Sequence, residues 1–279
     1  MHVRSLQIQT DLMLHAFAGE VIDRGTHIVV RTPDNPTFRR GNCLVFPGPP
    51  TAEDLAGWRQ VFADEIGSPP EVTHLAFTWD ALDGQEGATG AFVDTGFKRY
   101  EVATMTATRL APPTRPQSPC EIRDLRGDDD WAQWIDLGVA QNLALPLDQQ
   151  EGPGYRAYLH GSGRHCQAMV DAGWGRWFGA FVDEQLVASM GLFVREGIGR
   201  FQSVETRPQF RRRGLATQLL RHVAEEGFAA MGAETLFIVA DVDDVAMGIY
   251  ATAGFAETER IVQIERVDRS TWPPPTAEE

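Results

Sequence analysis

The chain has little cysteine and no long apolar run. Its three cysteines, Cys43, Cys120 and Cys166, lie far apart and show neither zinc-ligand spacing nor a disulfide framework, which favours a reducing compartment. No segment approaches the roughly 20 apolar residues of a membrane helix, and the N-terminus lacks the basic and apolar regions of a signal peptide. We therefore expect a cytoplasmic protein that has no metal site and does not bind a membrane.

Positive charge is also scarce, and Lys98 is the only lysine. The 25 Lys and Arg residues face 39 Asp and Glu residues, which gives a formal net charge of -14. Because a polyanion would be repelled by such a chain, we expect no nucleic-acid partner. A cationic small molecule such as an amine is compatible with this charge, although acidity also serves solubility alone.

Prolines are concentrated in two stretches. Residues 112–119 contain four of the 17 prolines. Proline removes backbone donors and favours extended chain, so this stretch predicts a linker between a first segment, 1–111, and a second segment, 120–270. Residues 271–279 are proline-rich and then acidic, which predicts a disordered tail.

The second segment has the pattern of a mixed α and β domain. Residues 177–182, 185–194 and 200–206 predict three strands in an antiparallel meander, because tight turns join them. Apolar residues at helical spacing follow from Leu215, and the apolar run 235–240 predicts a strand buried on both faces. The first segment shows a shorter version of the same order of elements, which indicates a tandem repeat.

The turn at residues 211–214, between strand 200–206 and the helix at Leu215, carries three arginines and Gly214 and is called the arginine turn. The first turn of a helix has N–H groups without intrahelical acceptors, and its dipole end is positive. Gly214 would let the backbone approach a ligand closely. This turn therefore predicts an anion site of the kind that holds a phosphate.

Two motifs resemble those of the GNAT superfamily of acyl-CoA-dependent N-acyltransferases. Residues 206–216, TRPQFRRRGLA, resemble the family pattern V-x-P-x-x-R/Q-x-x-G-x-G/A. Residues 243–255, DDVAMGIYATAGF, resemble N-x-x-A-x-x-L-Y-x-x-x-G-F. The departures are Thr206 for Val, Ile249 for Leu and Asp243 for Asn, and an ionised Asp cannot donate as an Asn amide does. The order and spacing of both motifs identify the second segment as a member of this superfamily.

The resemblance implies an α+β fold of two GNAT-like units, each a mixed, largely antiparallel sheet flanked by helices. It implies acetyl-CoA as co-substrate and transfer of the acetyl group directly to a primary amine of a small molecule. Tyr250 would return a proton to the CoA thiolate, and an N–H near Val204 would hold the oxyanion. The residues predicted to bind the cofactor are Val204, Thr206, Arg211, Arg212, Arg213, Gly214, Leu215, Ala216, Thr217, Asp243 and Tyr250.

Glu205 is the first candidate for the base that deprotonates the amine, because it lies on the strand at the expected reaction centre. A water chain is the alternative, and the sequence does not say which face of the strand meets the substrate. Two other functions stay open: a non-catalytic acyl-CoA sensor, and transfer to a protein amine. A homodimer is also left open.

The first segment has no counterpart of the arginine turn. Residues 47–51, PGPPT, stand where the turn would lie, and their three prolines supply no N–H groups. We therefore expect residues 1–111 to form a degenerate GNAT-like unit that does not bind CoA and instead supports the active unit or lines the substrate cleft.

Overall fold

The computed structural model describes residues 1–112, 119–147, 149–152 and 154–268. The predicted tail, 271–279, lies outside the described residues, as does most of the predicted linker. Within the described ranges, no helix combines the length and the apolar character that crossing a bilayer requires. The chain divides into two compact units. Unit 1 consists of Met1–Glu101, Glu151–Tyr158 and Arg260–Glu279, and unit 2 consists of Val102–Gln150 and Leu159–Glu259.

These units differ from the predicted segments because the chain exchanges strands. Residues 102–107, which precede the linker, pair with strand 235–241 in unit 2. Residues 263–267, near the end of the chain, pair with strand 74–78 in unit 1. Since each of these strands belongs to the unit whose strand it pairs with, the linker does not mark the boundary between the units.

Unit 1 contains a mixed sheet in the order β1-β2-β3-β4-β11. Strands β3 and β4 are parallel, and the other neighbours are antiparallel. Helix α1 begins after Ser5, whose hydroxyl accepts from the N–H of Ile8 as an N-cap. The elements are α1 (Leu6–His15), β1 (Glu20–Asp23), β2 (Ile28–Arg31), β3 (Cys43–Phe46), α2 (Asp54–Glu65), β4 (His74–Trp79), α3 (Gly90–Val93) and the C-terminal part of β11 (Ala256–Val267).

An aromatic core and a buried ion network hold unit 1 together. The rings of Phe46 and Trp58 stack with centroids 3.8 Å apart. Arg39 donates to both carboxylate oxygens of Glu151, at 2.6 and 2.7 Å, and lies 3.3 Å from the buried carboxylate of Glu265. This network ties residue 151 and strand β11 to the unit, which fits their assignment to it.

Unit 2 contains a mixed sheet in the order β5-β10-β9-β8-β7-β6. The predicted meander is present, since β7, β8 and β9 pair antiparallel in sequence. The fold is therefore α+β, as predicted. The elements are β5 (Lys98–Ala107), β6 (Glu121–Asp124), α4 (Gly127–Leu143), α5 (Tyr155–Asp171), β7 (Gly175–Val182), β8 (Gln185–Arg195), β9 (Ile198–Thr206), α6 (Leu215–Ala229), β10 (Thr235–Asp241) and α7 (Ala246–Ala253), with both β5 and α5 beginning in unit 1.

Helices cover both faces of the unit 2 sheet. Helix α6 packs on β8 and buries one apolar stripe, which comprises Leu215, Leu219, Leu220, Val223 and Ala224. On the other face, Trp131 and Trp134 of α4 contact Trp177 of β7, with ring centroids 5.7 and 5.5 Å apart. Burial on both faces fixes the positions of the strand ends, where the candidate site lies.

Helix α7 stops at Gly254, as its sequence predicts, and the stop is tightly packed. Gly254 has φ +107°, and a Cβ there would lie 2.8 Å from the backbone N of Ala111. We predict that Gly254→Ala lowers the free energy of unfolding by at least about 2 kcal/mol, or roughly 5 °C in Tm, since backbone cannot move aside.

The matched control is Gly248→Ala within the same helix. Gly248 is exposed and a Cβ there would meet nothing within 4 Å, so alanine should raise helix stability by up to about 1 kcal/mol. Calorimetric melting compares the two variants with the parent chain. An unchanged Tm for Gly254→Ala would contradict the packing argument.

Candidate active site

Strands β9 and β10 begin as parallel neighbours and then separate. Their pairing covers Thr235 with Ile198 through Phe237 with Arg200 and goes no further. Beyond that point β9 stays paired with β8 as far as Thr206, and β10 stays paired with β5 as far as Asp241. The two strands are each held by their outer neighbours, so a wedge-shaped opening forms between them.

A β-bulge lies in β9 at this opening. Ser189 of β8 is opposite Glu205, whereas Gly191 is opposite Gln202, so β9 has one extra residue between these pairs. Ser203 within the bulge has φ +44°, a conformation that few residues other than glycine adopt. A bulge removes one residue from the ladder and turns its backbone groups away from the neighbouring strand. Backbone donors of β9 can therefore be directed into the opening.

The arginine turn leads from β9 into α6, as predicted. Arg212 and Gly214 both have left-handed backbones, with φ +62° and +77°. All three arginines and Gly214 are exposed, and a Cβ on Gly214 would meet nothing within 4 Å. Gly214 caps α6 without a side-chain acceptor, so the first N–H groups of the helix have no intrahelical partner. The turn is an exposed cationic surface beside helix N–H groups that lack intrahelical acceptors.

Gln141 of α4 holds this turn, and its role was not predicted. Its Nε2 donates to the carbonyl of Thr206 at 2.9 Å, and its Oε1 accepts from a guanidinium nitrogen of Arg211. Arg207 fixes the other side, because its Nε donates to the carbonyl of Leu186 at 2.8 Å. A single glutamine on a helix carries no motif, so only the fold could reveal this bridge.

Tyr250 of α7 is buried in the same core cluster as α6, and Val204 of β9 packs against that cluster. The ring of Tyr250 lies beside that of Phe255, with centroids 6.3 Å apart. Burial, together with the nearby carboxylate of Asp244, raises the pKa of the Tyr250 phenol above its usual value. The phenol is therefore protonated at neutral pH and able to donate a proton.

The side chain of Glu205 lies on the face of the unit 2 sheet opposite to α6 and Tyr250. It is directly opposite Ser189, and such pairs share a face. Ser189 accepts a hydrogen bond from Nε1 of Trp177 at 2.7 Å, on the face that α4 covers. Within the described residues, the Oε2 atom of Glu205 is buried without a hydrogen-bond partner. Burial raises the pKa of this carboxyl group to about 7.

The other predicted residues have simpler positions. The side chain of Leu215 is buried in the core, so only its backbone can face a ligand. Ala216 and Thr217 are half-buried in the first turn of α6. Asp243 is exposed, and its N–H donates to Asp241. Among the described residues, no group of three His, Cys, Asp or Glu side chains could hold a metal ion.

Comparison with known families agrees with this geometry. A sequence model described as "Acetyltransferase (GNAT) family" matches residues 145–255. Residues 145–255 therefore match the GNAT acetyltransferase family in sequence. The match contains β9, the arginine turn and Tyr250. A search of curated proteins gave no significant match.

Solved structures resemble the whole chain. A conserved protein of unknown function from Staphylococcus epidermidis is 14% identical with a TM-score of 0.67, covering 89% of this chain and 94% of its own. A GCN5-related N-acetyltransferase from Kribbella flavida is 12% identical with a TM-score of 0.59, and the match covers 95% of this chain and 96% of the Kribbella protein. A GCN5-related N-acetyltransferase from Sphaerobacter thermophilus is 16% identical with a TM-score of 0.54, covering 87% and 76%. At these identities the likeness shows a shared fold.

The raised pKa of Glu205 predicts a pH dependence of stability. Below its unfolded pKa of about 4.5 the group is protonated in both states, and as pH rises through its folded pKa of about 7 the folded state must hold a buried carboxylate. Glu205→Gln removes that cost. We expect the variant to be more stable than the parent chain above pH 7, by roughly 3 kcal/mol at most, and to show no such gain near pH 4.5.

Denaturant unfolding at several pH values measures this difference. Glu225→Gln, on the exposed side of α6, is the matched control for loss of one carboxylate. A stability difference between Glu205→Gln and the parent chain that does not vary with pH would contradict the burial of the Glu205 carboxylate.

Proposed function

We propose that the protein is an N-acetyltransferase that moves an acetyl group from acetyl-CoA to a primary amine of a small molecule, by direct transfer in a ternary complex. The observation that carries the proposal is the parting of β9 and β10 beside the open arginine turn. A long, thin acyl carrier that ends in phosphates fits an opening between strands that leads to a cationic helix start.

The residues of the turn suit the phosphates of CoA. The N–H groups of Leu215, Ala216 and Thr217 would bind the pyrophosphate together with those of the left-handed turn, and the exposed arginines would add charge-assisted bonds. Val204 and Thr206 would lie along the pantetheine arm. Asp243 is exposed and its N–H donates to Asp241, so it would contact CoA through its backbone carbonyl. The thioester of the bound co-substrate supplies the activated acetyl group.

Glu205 would act as the base. An acceptor ammonium must lose a proton before its nitrogen attacks the thioester carbonyl, and a carboxylate with a pKa of about 7 matches that task near neutral pH. The buried, unpaired Oε2 atom gives this carboxylate a free acceptor. A backbone N–H of the β9 bulge would hold the oxyanion, which is worth about 3 kcal/mol for one donor.

Tyr250 would act as the acid. When the tetrahedral intermediate collapses, the C–S bond breaks and the thiolate needs a proton, which a buried, protonated phenol can give. Glu205 lies on the α4 face of β9, beside the opening, while Tyr250 belongs to the core on the α6 face. Base and acid on opposite sides of one opening would serve the amine and the thiol separately.

Unit 1 would be a degenerate GNAT-like unit without a CoA site. Residues 47–51 join β3 to α2, and the carbonyl of Pro50 accepts from the N–H of Ala88 at 2.8 Å. A Cβ on Gly87 would lie 2.5 Å from that carbonyl oxygen, so the place of the turn is already filled by the chain. This packing supports a structural role for unit 1.

Binding of acetyl-CoA should raise Tm, by an amount equivalent to about 2.7 kcal/mol at a concentration of 100 Kd. Gly214→Asp should abolish this shift, because a carboxylate would lie against the phosphates. Gly232→Asp is the matched control: Gly232 also has a left-handed backbone and open surroundings, beyond the other end of α6. Thermal scans with and without acetyl-CoA decide, and a full shift in Gly214→Asp would overturn the phosphate-turn assignment.

Tyr250→Phe should lower kcat roughly 10²-fold while the thermal shift with acetyl-CoA stays unchanged, because only proton donation is lost. Release of CoA thiol across a panel of small amines measures turnover, with Tyr155→Phe as the control for loss of a phenol. Turnover equal to the parent chain would assign Tyr250 to packing. Binding without thiol release from any amine would favour an acyl-CoA sensor instead.

A further inference from the structure

Unit 2 contains a cavity of about 490 Å³, away from the arginine turn. It lies where α5 ends, β7 begins and β8 ends, and Met231, which follows α6, forms part of its wall. The turn precedes the first residue of α6, and the helix has 15 residues, so the cavity is about 22 Å from it along the helix axis. A volume of this size suits a small organic molecule.

One of the two cavity arginines donates to carboxylates from all three of its guanidinium nitrogens. Nε and Nη2 of Arg176 donate to the two carboxylate oxygens of Asp124, at 3.0 and 2.9 Å. Its Nη1 donates to Glu226 at 2.5 Å, and the guanidinium lies 4.6 Å from the ring centre of Phe178. Arg176 is therefore a structural residue that closes one side of the cavity.

Arg195 is different. Its guanidinium lies over the indole of Trp174, 4.2 Å from the ring centre. Only its Nη1 atom donates, to the carbonyls of Val194 at 3.0 Å and Trp174 at 3.5 Å. Across the described part of the chain, no carboxylate forms an ion pair with Arg195. Since a guanidinium has five N–H donors in a planar fork, most of this fork is available at the cavity.

Apart from the two arginines and Asp124, which Arg176 holds, the wall is apolar and partly aromatic. Leu125, Val170, Val194 and Met231 contribute aliphatic surface, and Trp174 is half-buried beside them. A planar cation that lies over an indole, next to aliphatic walls, matches a ligand that is itself planar and apolar and carries one carboxylate.

We propose that this cavity is a binding site for a small aromatic carboxylate. The carboxylate accepts hydrogen bonds from Arg195, and the aromatic body packs on the aliphatic wall beside Trp174. The site is independent of the acetyl-transfer proposal, because none of its lining residues belongs to the opening between β9 and β10 or to the arginine turn.

Binding of 2-naphthoate to the full chain tests the proposal, by calorimetry and by quenching of tryptophan fluorescence. We expect saturable binding with one site per chain, at least tenfold tighter than that of 2-naphthamide, which has the same body without the charge. Acetyl-CoA at saturation should leave the affinity unchanged.

Arg195→Gln should weaken binding of 2-naphthoate at least tenfold and leave the weak binding of 2-naphthamide as it is. Arg164→Gln is the matched control, since Arg164 is exposed on α5 outside the cavity. Equal binding of the two probes, displacement by acetyl-CoA, or undiminished binding in Arg195→Gln would each overturn the proposal. If Arg195→Gln fails to fold, the comparison of the two probes on the parent chain still decides.

Discussion

The candidate site depends on one constraint, the early end of pairing between β9 and β10. Parallel neighbours normally continue side by side, but here each strand follows a different partner beyond Arg200 and Phe237. Antiparallel pairing with β8 holds β9, and antiparallel pairing with β5 holds β10. The parting leaves backbone groups and side chains of β9 exposed to a ligand without breaking the sheet on either side. Everything proposed for catalysis uses that exposure.

Burial raises the pKa of both proposed catalytic groups, and the same shift suits the different role of each. Loss of water disfavours the charged form, so it raises the pKa of both the Glu205 carboxyl and the Tyr250 phenol. For Glu205 the result is a carboxyl group whose pKa of about 7 lets its ionised form take up a proton near neutral pH. For Tyr250 the result is a phenol that keeps its proton until a thiolate appears. A low-dielectric opening thus suits both halves of an acyl transfer.

Much of unit 2 was predictable because its signals are local. Turn residues mark the meander, apolar spacing marks α6, and Gly214 and Gly254 occupy left-handed positions that favour glycine. The partners of the outer strands were not predictable, since alternation in a strand indicates which face is buried and not which strand lies beside it. The same limit applies to the face of Glu205, which only the position of α4 decides, and to Gln141, a lone polar residue without a motif.

The exchange of strands changes what the first segment contributes. Residues 102–107 of β5 precede the linker, yet they pair with β10 from Leu236 to Asp241. Because this pairing is what keeps β10 away from β9, the opening requires chain from before the linker. A chain cut at residue 112 would lack the strand that holds β10, and the unpaired edge of β10 would favour aggregation or a closed opening. The second segment therefore contains both sequence motifs but lacks β5, the strand that pairs with β10.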